Sequence, residues 1–160
     1  MKPSLFISAT LSLSLFCICH ANMIPDLCSK SLYKTFCINT LRQSRCSQLK
    51  CMGQFIFSRA ITATTDVKKT VPKQGDKKDA YVDCVTLIDN ATSDLKKGSD
   101  ELNAYGASKT VGNDINTAAS AAMTDLETCL DGYKRAENLK TAITNAKNFL
   151  DVLLVISNNM

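Results

Sequence analysis

Apolar residues recur every three or four positions along four stretches of this chain, the spacing that places them on one face of an α-helix. The first stretch runs from Leu49 to Val71 and is broken by the polar segment 72–76, which contains a proline and a glycine. The second runs from Tyr81 to Leu95, and we expect Gly98 to end it. These two stretches predict two long amphipathic helices joined by a short polar loop.

Two further stretches carry the same pattern towards the C-terminus. One runs from Val111 to Tyr133, with Gly132 expected as a left-handed C-cap, and the other runs from Leu139 to Ile156. Alanine, leucine and lysine are plentiful and alternating β-branched residues are scarce, which favours helices over strands. Four amphipathic helices with short polar connections predict an all-α protein, folded as an antiparallel four-helix bundle.

A shorter segment, residues 24–41, precedes the four helices and contains Cys28 and Cys37. We expect a helical hairpin or a pair of short helices here, with the hairpin region at 22–43 and the bundle at 44–160. The apolar residues that this segment is expected to bury are Leu27, Leu32, Phe36 and Leu41.

The first 21 residues have the organisation of a secretory signal peptide. Lys2 provides the positive charge, residues 5–18 are predominantly apolar, and Ala21 is a small residue at the expected cleavage position. An uncleaved N-terminal anchor helix is the alternative, but the apolar run is short for a membrane span. Cleavage after Ala21 would leave a secreted chain without His20, the only histidine in the sequence.

Without that histidine the mature chain cannot form a Ser-His-Asp or Cys-His catalytic site or the usual histidine-containing zinc sites. We therefore expect neither an enzyme nor a metal or other cofactor. The formal net charge of +4 is mild, tryptophan is absent, and adjacent lysines such as those at positions 68–69 and 77–78 form pairs and not a basic patch, so no nucleic-acid partner is expected. Two alternatives stay open: a helical bundle that binds a small apolar ligand, and an enzyme that uses carboxylates alone.

Six cysteines remain after cleavage, and disulfides are the expected state in a secreted chain. The sequence alone does not choose among the fifteen possible pairings. The spacing of Cys28 and Cys37 suits a clasp on a hairpin. Cys84 and Cys129 lie on the apolar faces of two predicted helices, and a bridge between them would close a loop of about 45 residues, worth about 4 kcal/mol.

Cys46 and Cys51 raise a geometric problem. Residues five apart on a regular helix are separated by more than the ~7 Å between Cα atoms that a disulfide tolerates. These two cysteines can pair only if the chain around residues 45–50 is not yet helical. Otherwise they are free thiols or form an intermolecular bridge.

Three segments resemble the plant invertase and pectin methylesterase inhibitor family over nearly the whole mature chain. LCSKSLYKTFC, residues 27–37, resembles the family's first cysteine pair, and AYVDCVTLIDNATSDL, residues 80–95, resembles its third-cysteine helix. SAAMTDLETCLDGY, residues 120–133, is the most specific match: it is similar to the family's Ser-Ala-Ala-Leu-Thr run followed by Thr-Cys, Asp-Gly and an aromatic residue. Met123 replaces the usual leucine, and Tyr133 replaces a usual phenylalanine.

The resemblance implies a helical hairpin on a four-helix bundle, with bridges Cys28–Cys37 and Cys84–Cys129. It also implies a secreted inhibitor, in the apoplast or a vacuole, that occupies the active-site cleft of pectin methylesterase or acid invertase in a one-to-one complex. We expect a monomer. The invertase branch is known for a Pro-Lys-Phe motif between the third and fourth cysteines; here Asp100-Glu101-Leu102 stands at that place, and no proline lies between Cys84 and Cys129. Pectin methylesterase is therefore the favoured target.

The outward face of the third predicted helix carries a row of hydroxyl groups opposite its apolar stripe. In the family, the threonine at the position of Thr124 is associated with the enzyme-facing surface. A plain solvated surface is the alternative for this face. The residues expected to contact a partner are Thr117, Ser120 and Thr124 on this helix and Asp83 and Asp94 on the preceding one.

Asn90-Ala91-Thr92 is a glycosylation sequon on the outward face of the second predicted helix. A glycan on Asn90 would obstruct that face. We hypothesise that glycosylation shifts a partner towards the face that carries Thr117.

Overall fold

The structure is a computed structural model that describes residues 23–73, 78–133 and 135–160. The predicted signal peptide, residues 1–21, lies outside this part of the chain. Residues 23–27 are helical, and 3₁₀ turns follow at Cys28–Lys30 and, further along, at Lys68–Thr70. Among the described residues, the longer helices are α1 (Lys34–Ser44), α2 (Leu49–Val67), α3 (Lys78–Tyr105), α4 (Lys109–Asp131) and α5 (Glu137–Ser157).

Helices α2 to α5 form an antiparallel bundle in which each packs against two neighbours. α3 lies between α2 and α4, and α5 closes the bundle by packing against both α2 and α4. The apolar stripes read from the sequence supply the core, because most of their members are buried on one side of each helix. The predicted all-α four-helix bundle is thus confirmed.

The predicted end of α3 is wrong, because the helix continues through Gly98 for another two turns. Gly98 is buried, and a Cβ atom at this position would lie 3.1 Å from Cζ of Phe57. The glycine therefore lets α2 and α3 approach closely instead of ending the helix. α3 ends before Gly106, whose φ of +74° is a left-handed conformation that glycine adopts without strain.

The two ends of α4 differ in how they are capped. At the start, the Oγ atom of Ser108 accepts a hydrogen bond of 3.3 Å from the backbone N–H of Val111, which caps the helix. At the other end Gly132 has a φ of −67°, so the predicted left-handed cap is wrong. The chain leaves α4 through a right-handed turn in which Tyr133 is buried.

The N-terminal hairpin is held together by the Cys28–Cys37 disulfide and packs on α2 and α5. Leu27 and Leu41 are buried as expected, and the ring of Phe36 meets that of Phe149 edge-on with centroids 5.0 Å apart. Leu32 is 83% exposed, so its predicted burial is wrong. It lies in the turn before α1, where its backbone faces the bundle and its side chain points to solvent.

The other two cysteine pairs are also bridged. Arg45 adopts a left-handed conformation with a φ of 54°, and α2 begins only at Leu49, so the segment between them is not helical. This is the condition that allows Cys46 and Cys51 to pair, and their Cα atoms lie 5.7 Å apart. Cys84 and Cys129 join α3 to α4, with Cα atoms 4.5 Å apart. Among the described residues no helix is both long and apolar enough to cross a membrane.

Candidate interaction surface

The outward face of α4 carries the hydroxyl row expected from the sequence. Thr117, Ser120, Thr124, Thr128 and Asp131 are all exposed. The threonine hydroxyls donate to the backbone carbonyl four residues earlier: Thr117 to Asn113 at 3.0 Å, Thr124 to Ser120 at 3.1 Å and Thr128 to Thr124 at 2.8 Å. Because their protons are used within the helix, these side chains present methyl groups and acceptor lone pairs to a partner.

A shallow groove runs between α3 and α4, and we call it the α3/α4 groove. It consists of two adjoining hollows of about 440 Å³ and 330 Å³ that share Asp94, Lys97 and Ala121. The first hollow, the Asn90 end, is also lined by Asn90, Ser93, Thr124 and Asp125. The second hollow, the Thr117 end, is also lined by Gly98, Glu101, Asp114, Thr117 and Ala118.

Carboxylates dominate the charge of this groove. Asp94, Glu101, Asp114 and Asp125 line it, while Lys97 is the cation among its lining residues and lies 3.4 Å from Asp94. Partial burial, and then the nearby charge of Asp94, raise the pKa of Asp125 above its ordinary value of 3.8. The folded state therefore favours protonated Asp125, and the associated stability is lost as the pH rises through that raised pKa.

A third hollow of about 350 Å³ continues the groove towards the α3–α4 loop. It shares Glu101 and Asp114 with the Thr117 end and is also lined by Tyr105, Ser108, Thr110 and Val111. Tyr105 is 74% exposed, which is unusual for a large aromatic side chain. The groove thus ends at an exposed ring.

The structure brings together part of the contact set predicted from the sequence. Asp94, Thr117 and Thr124 line the α3/α4 groove, together with Asn90 of the sequon. Ser120 is exposed on the same helix but is not among the lining residues. Asp83 is exposed near the start of α3, eleven residues or about 16 Å along the helix from Asp94, and lies outside the groove.

Sequence reasoning missed two acidic residues that lie beside the buried stripes of α3 and α4, Glu101 and Asp114. On α4 the lining positions 114, 117, 121 and 124 follow a helical spacing, and so do positions 90, 94, 97 and 101 on α3. Asp114 and Glu101 lie beside the buried stripe of their helix, whereas Thr117 and Thr124 lie opposite it. Reading the border of each stripe, in addition to its far side, would have identified Asp114 and Glu101.

The surface formed by the groove and the outward face of α4 is largely polar. Its polar groups are carboxylates, hydroxyls, an amide and one ammonium group. Over residues 23–73, 78–133 and 135–160, no three histidine, cysteine or acidic side chains are grouped closely enough to hold a metal ion. The arrangement suits a broad contact with another macromolecule, since the hollows are shallow and open.

Comparison with known proteins gives matches over most of this chain. A family model described as "Plant invertase/pectin methylesterase inhibitor" matches residues 22–157. Pectinesterase inhibitor 1 from Arabidopsis thaliana is 26% identical over a match that covers 99% of this chain and 95% of that protein. Pectinesterase inhibitor from Actinidia deliciosa is 28% identical, with 86% of this chain and 78% of that protein covered.

Longer relatives carry names that join an enzyme to an inhibitor. Pectinesterase/pectinesterase inhibitor 3 from Arabidopsis thaliana is 30% identical over 71% of this chain, and the match spans 22% of that protein. This chain spans less than a quarter of the length of the first such relatives.

The fold has a counterpart among solved structures. A crystal structure of a mutant form of a pectin methylesterase inhibitor from Arabidopsis superimposes with a TM-score of 0.69 at 24% identity, covering 82% of this chain and 93% of that one. A second crystal structure of a pectin methylesterase inhibitor, from Arabidopsis thaliana, gives a TM-score of 0.60. This likeness supports the helical fold with its N-terminal hairpin.

Proposed function

Because this chain belongs to the plant invertase/pectin methylesterase inhibitor family, we propose that it is a secreted inhibitor of a pectin methylesterase. The observation that carries the proposal is the match, over nearly the full length of both chains, to a protein named as a pectinesterase inhibitor. The inhibitor acts by laying the α3/α4 groove and the hydroxyl face of α4 over the active-site cleft of the enzyme, in a one-to-one complex.

The prediction that the chain is not an enzyme is confirmed by the relatives that match it over most of their length, since these are named as inhibitors. The longer relatives, whose names include an enzyme, extend far beyond the part that this chain matches. We infer that the part of these longer relatives that this chain matches is their inhibitor portion.

The shape and chemistry of the surface support this mode of action. Small side chains at Ser120 and Ala121 let a partner surface approach the α4 backbone closely, and the threonines on either side offer acceptor lone pairs. The four carboxylates of the groove complement a cleft rim that carries lysine or arginine. Three disulfides among the described residues are typical of a chain that folds in an oxidising compartment, which supports secretion.

Acid invertase is the alternative target. The segment that stands in place of the Pro-Lys-Phe motif, residues 100–102, forms part of α3, and Leu102 is fully buried beside Gly53. Leu102 is thus part of the core, while Asp100 is exposed and Glu101 lines the α3/α4 groove, so the segment presents two carboxylates where the invertase branch has Pro-Lys-Phe. This difference supports pectin methylesterase as the proposed target.

The direct test is inhibition by the purified mature chain, produced in an oxidising but non-glycosylating host. The protein is titrated into a panel of plant pectin methylesterases and into an acid invertase, and each activity is followed. We expect stoichiometric loss of methylesterase activity and an unchanged invertase. Inhibition of the invertase alone would overturn the proposed target.

A matched pair of variants tests the proposed surface. Thr117→Arg places a long charged side chain in the groove and should weaken inhibition by about tenfold or more, as expected for a disrupted interface core. Thr62→Arg is the control: Thr62 on α2 is also exposed and donates to the carbonyl four residues earlier, at 2.8 Å, but it lies on the helix diagonally opposite α4. Equal inhibition by the two variants would show that the partner binds elsewhere.

A further inference from the structure

The Asn90 end of the α3/α4 groove contains the single Asn-x-Ser/Thr sequon of the whole sequence. Asn90 is exposed on α3, so a sugar attached to its side-chain amide would project into solvent without disturbing the core. The same hollow is lined by Asp94, Thr124 and Asp125. A modification at Asn90 therefore stands directly over part of the proposed inhibitory surface.

We propose that Asn90 carries an N-linked glycan that covers the Asn90 end of the groove and confines the partner to the Thr117 end. The second half of this proposal rests on the proposed inhibitory function; the first half does not. The glycan sterically blocks the Asn90 end of the groove, so that a target enzyme can reach only the Thr117 end.

The folded geometry sets the order of events. Ala91 is fully buried, and the hydroxyl of Thr92 donates a 2.8 Å hydrogen bond to the carbonyl of Ile88 within α3. A transferase that must read both Asn90 and Thr92 cannot reach this tripeptide once α3 has packed. Attachment therefore precedes folding, during entry into the compartment in which the disulfides form.

The helix geometry indicates which residues of the groove the glycan covers. Asn90 shares its hollow with Thr124 and Asp125, whereas Glu101 lies eleven residues away, or about 16 Å along the axis of α3. Tyr105 is further still, about 22 Å from Asn90 along the same axis. The glycan thus shields Thr124 and Asp125 and leaves Thr117, Glu101 and Tyr105 open.

The modification itself is tested by intact-mass measurement of the mature protein secreted from plant cells, before and after treatment with an N-glycosidase. We expect the mass to fall by that of one glycan, with the site mapped to Asn90, and no change for Asn90→Gln. A wild-type protein secreted without a glycan would overturn the proposal. It would leave the proposed inhibitory function untouched.

The shielding is tested without any partner by carbodiimide labelling of carboxylates. In the glycosylated protein we expect Asp94 and Asp125 to be labelled at least about threefold more slowly than in Asn90→Gln, because a bulky glycan covers them. Asp114 at the Thr117 end is exposed and serves as the internal control, with equal labelling in both proteins. If each of the three carboxylates were labelled at the same rate in the glycosylated protein and in Asn90→Gln, the shielding would be overturned.

Inhibition assays then test the confinement of the partner. With the glycan present, Thr124→Arg should change inhibition by less than about twofold while Thr117→Arg weakens it by about tenfold; in the Asn90→Gln background both should weaken it. As a matched control, Lys147→Thr creates a second Asn-Ala-Thr sequon, in which Asn145 on α5 is exposed and followed by the buried Ala146. In the Asn90→Gln background, a glycan on Asn145 should leave the loss of inhibition that Thr124→Arg causes unchanged. Sensitivity of the glycosylated protein to Thr124→Arg would overturn the confinement.

Discussion

Single glycines decide how closely the helices of this bundle approach. A Cβ atom at Gly112 would lie 2.6 Å from the carbonyl oxygen of Ser157, a backbone atom at the end of α5 that cannot move aside alone. We expect Gly112→Ala to lower the free energy of unfolding by about 1–3 kcal/mol, the usual range for overpacking. Chemical denaturation of the purified protein measures this change.

Gly132 provides the matched comparison. A Cβ atom there would meet nothing closer than 3.4 Å, and its φ of −67° suits any residue. Gly132→Ala should therefore be neutral or stabilise the fold by up to about 1 kcal/mol, because alanine restricts the unfolded chain. If Gly132→Ala were the more destabilising of the two, the left-handed cap expected from the sequence would be the better description.

At this scale the sequence predicts which residues are buried better than it predicts what a glycine does. The core positions of α4 follow from spacing alone, since apolar side chains on one face must leave water. The roles of Gly98 and Gly132 could not be predicted, because a glycine that permits close packing and one that ends a helix look the same in a sequence. The distinction depends on the neighbouring helix, which for Gly98 supplies the ring of Phe57.

The helices are stapled by bridges that differ in the length of chain they close. Cys84–Cys129 spans 45 residues and joins α3 to α4, whereas Cys46–Cys51 spans five residues at the start of α2. On the loop-entropy model the first should contribute about 4 kcal/mol and the second about 2 kcal/mol. We expect the double substitution Cys84→Ser/Cys129→Ser to cost about twice the stability that Cys46→Ser/Cys51→Ser costs.

Denaturant unfolding of the two double variants measures the difference, and the intact wild type provides the reference slope. The cysteine pairs that remain in each variant must be confirmed as bridged by mass spectrometry. Equal losses from the two double variants would mean that loop length does not control the contribution of these bridges.

The helices can be predicted from the sequence, whereas the groove between α3 and α4 can be predicted only in part. Four amphipathic stripes predict four helices, and short loops predict antiparallel neighbours. The pairing of Cys46 with Cys51 stayed open because it depends on where α2 begins, which apolar spacing does not fix. The groove depends on residues at the borders of two stripes, so Asp114 and Glu101 gain meaning only when α3 and α4 are placed side by side.

In the whole molecule, the contacts that hold the N-terminal hairpin on the bundle are separate from the proposed interaction surface. The N-terminal hairpin packs on α2 and α5, while the α3/α4 groove lies between the other pair of helices. Asp151, which interrupts the apolar run of α5 in the sequence, is buried beneath the hairpin. A change that loosens the hairpin should therefore leave the groove in place.

Asp151 tests this separation. Its carboxylate accepts hydrogen bonds from the hydroxyl of Ser31 and, at 3.4 Å, from the backbone N–H of Leu32. Asp151→Ala leaves these two donors without their acceptor and should cost about 1–3 kcal/mol. We expect hydrogen exchange to show faster exchange in α1 and in the turn before it, with protection in α3 and α4 retained. Inhibition should also be retained, because α3 and α4 keep their contacts with α2 and α5.

Asp131→Ala is the control for this experiment, because it removes an exposed aspartate from the end of α4. It should leave exchange in the hairpin unchanged. If Asp151→Ala accelerated exchange uniformly across α1 to α5, the hairpin and the bundle would unfold as one cooperative unit. Selective loss of protection in the hairpin would instead establish that Asp151, in addition to the ring contact between Phe36 and Phe149, holds the N-terminal segment on α5, since the disulfide Cys28–Cys37 closes the hairpin on itself and does not tie it to the bundle.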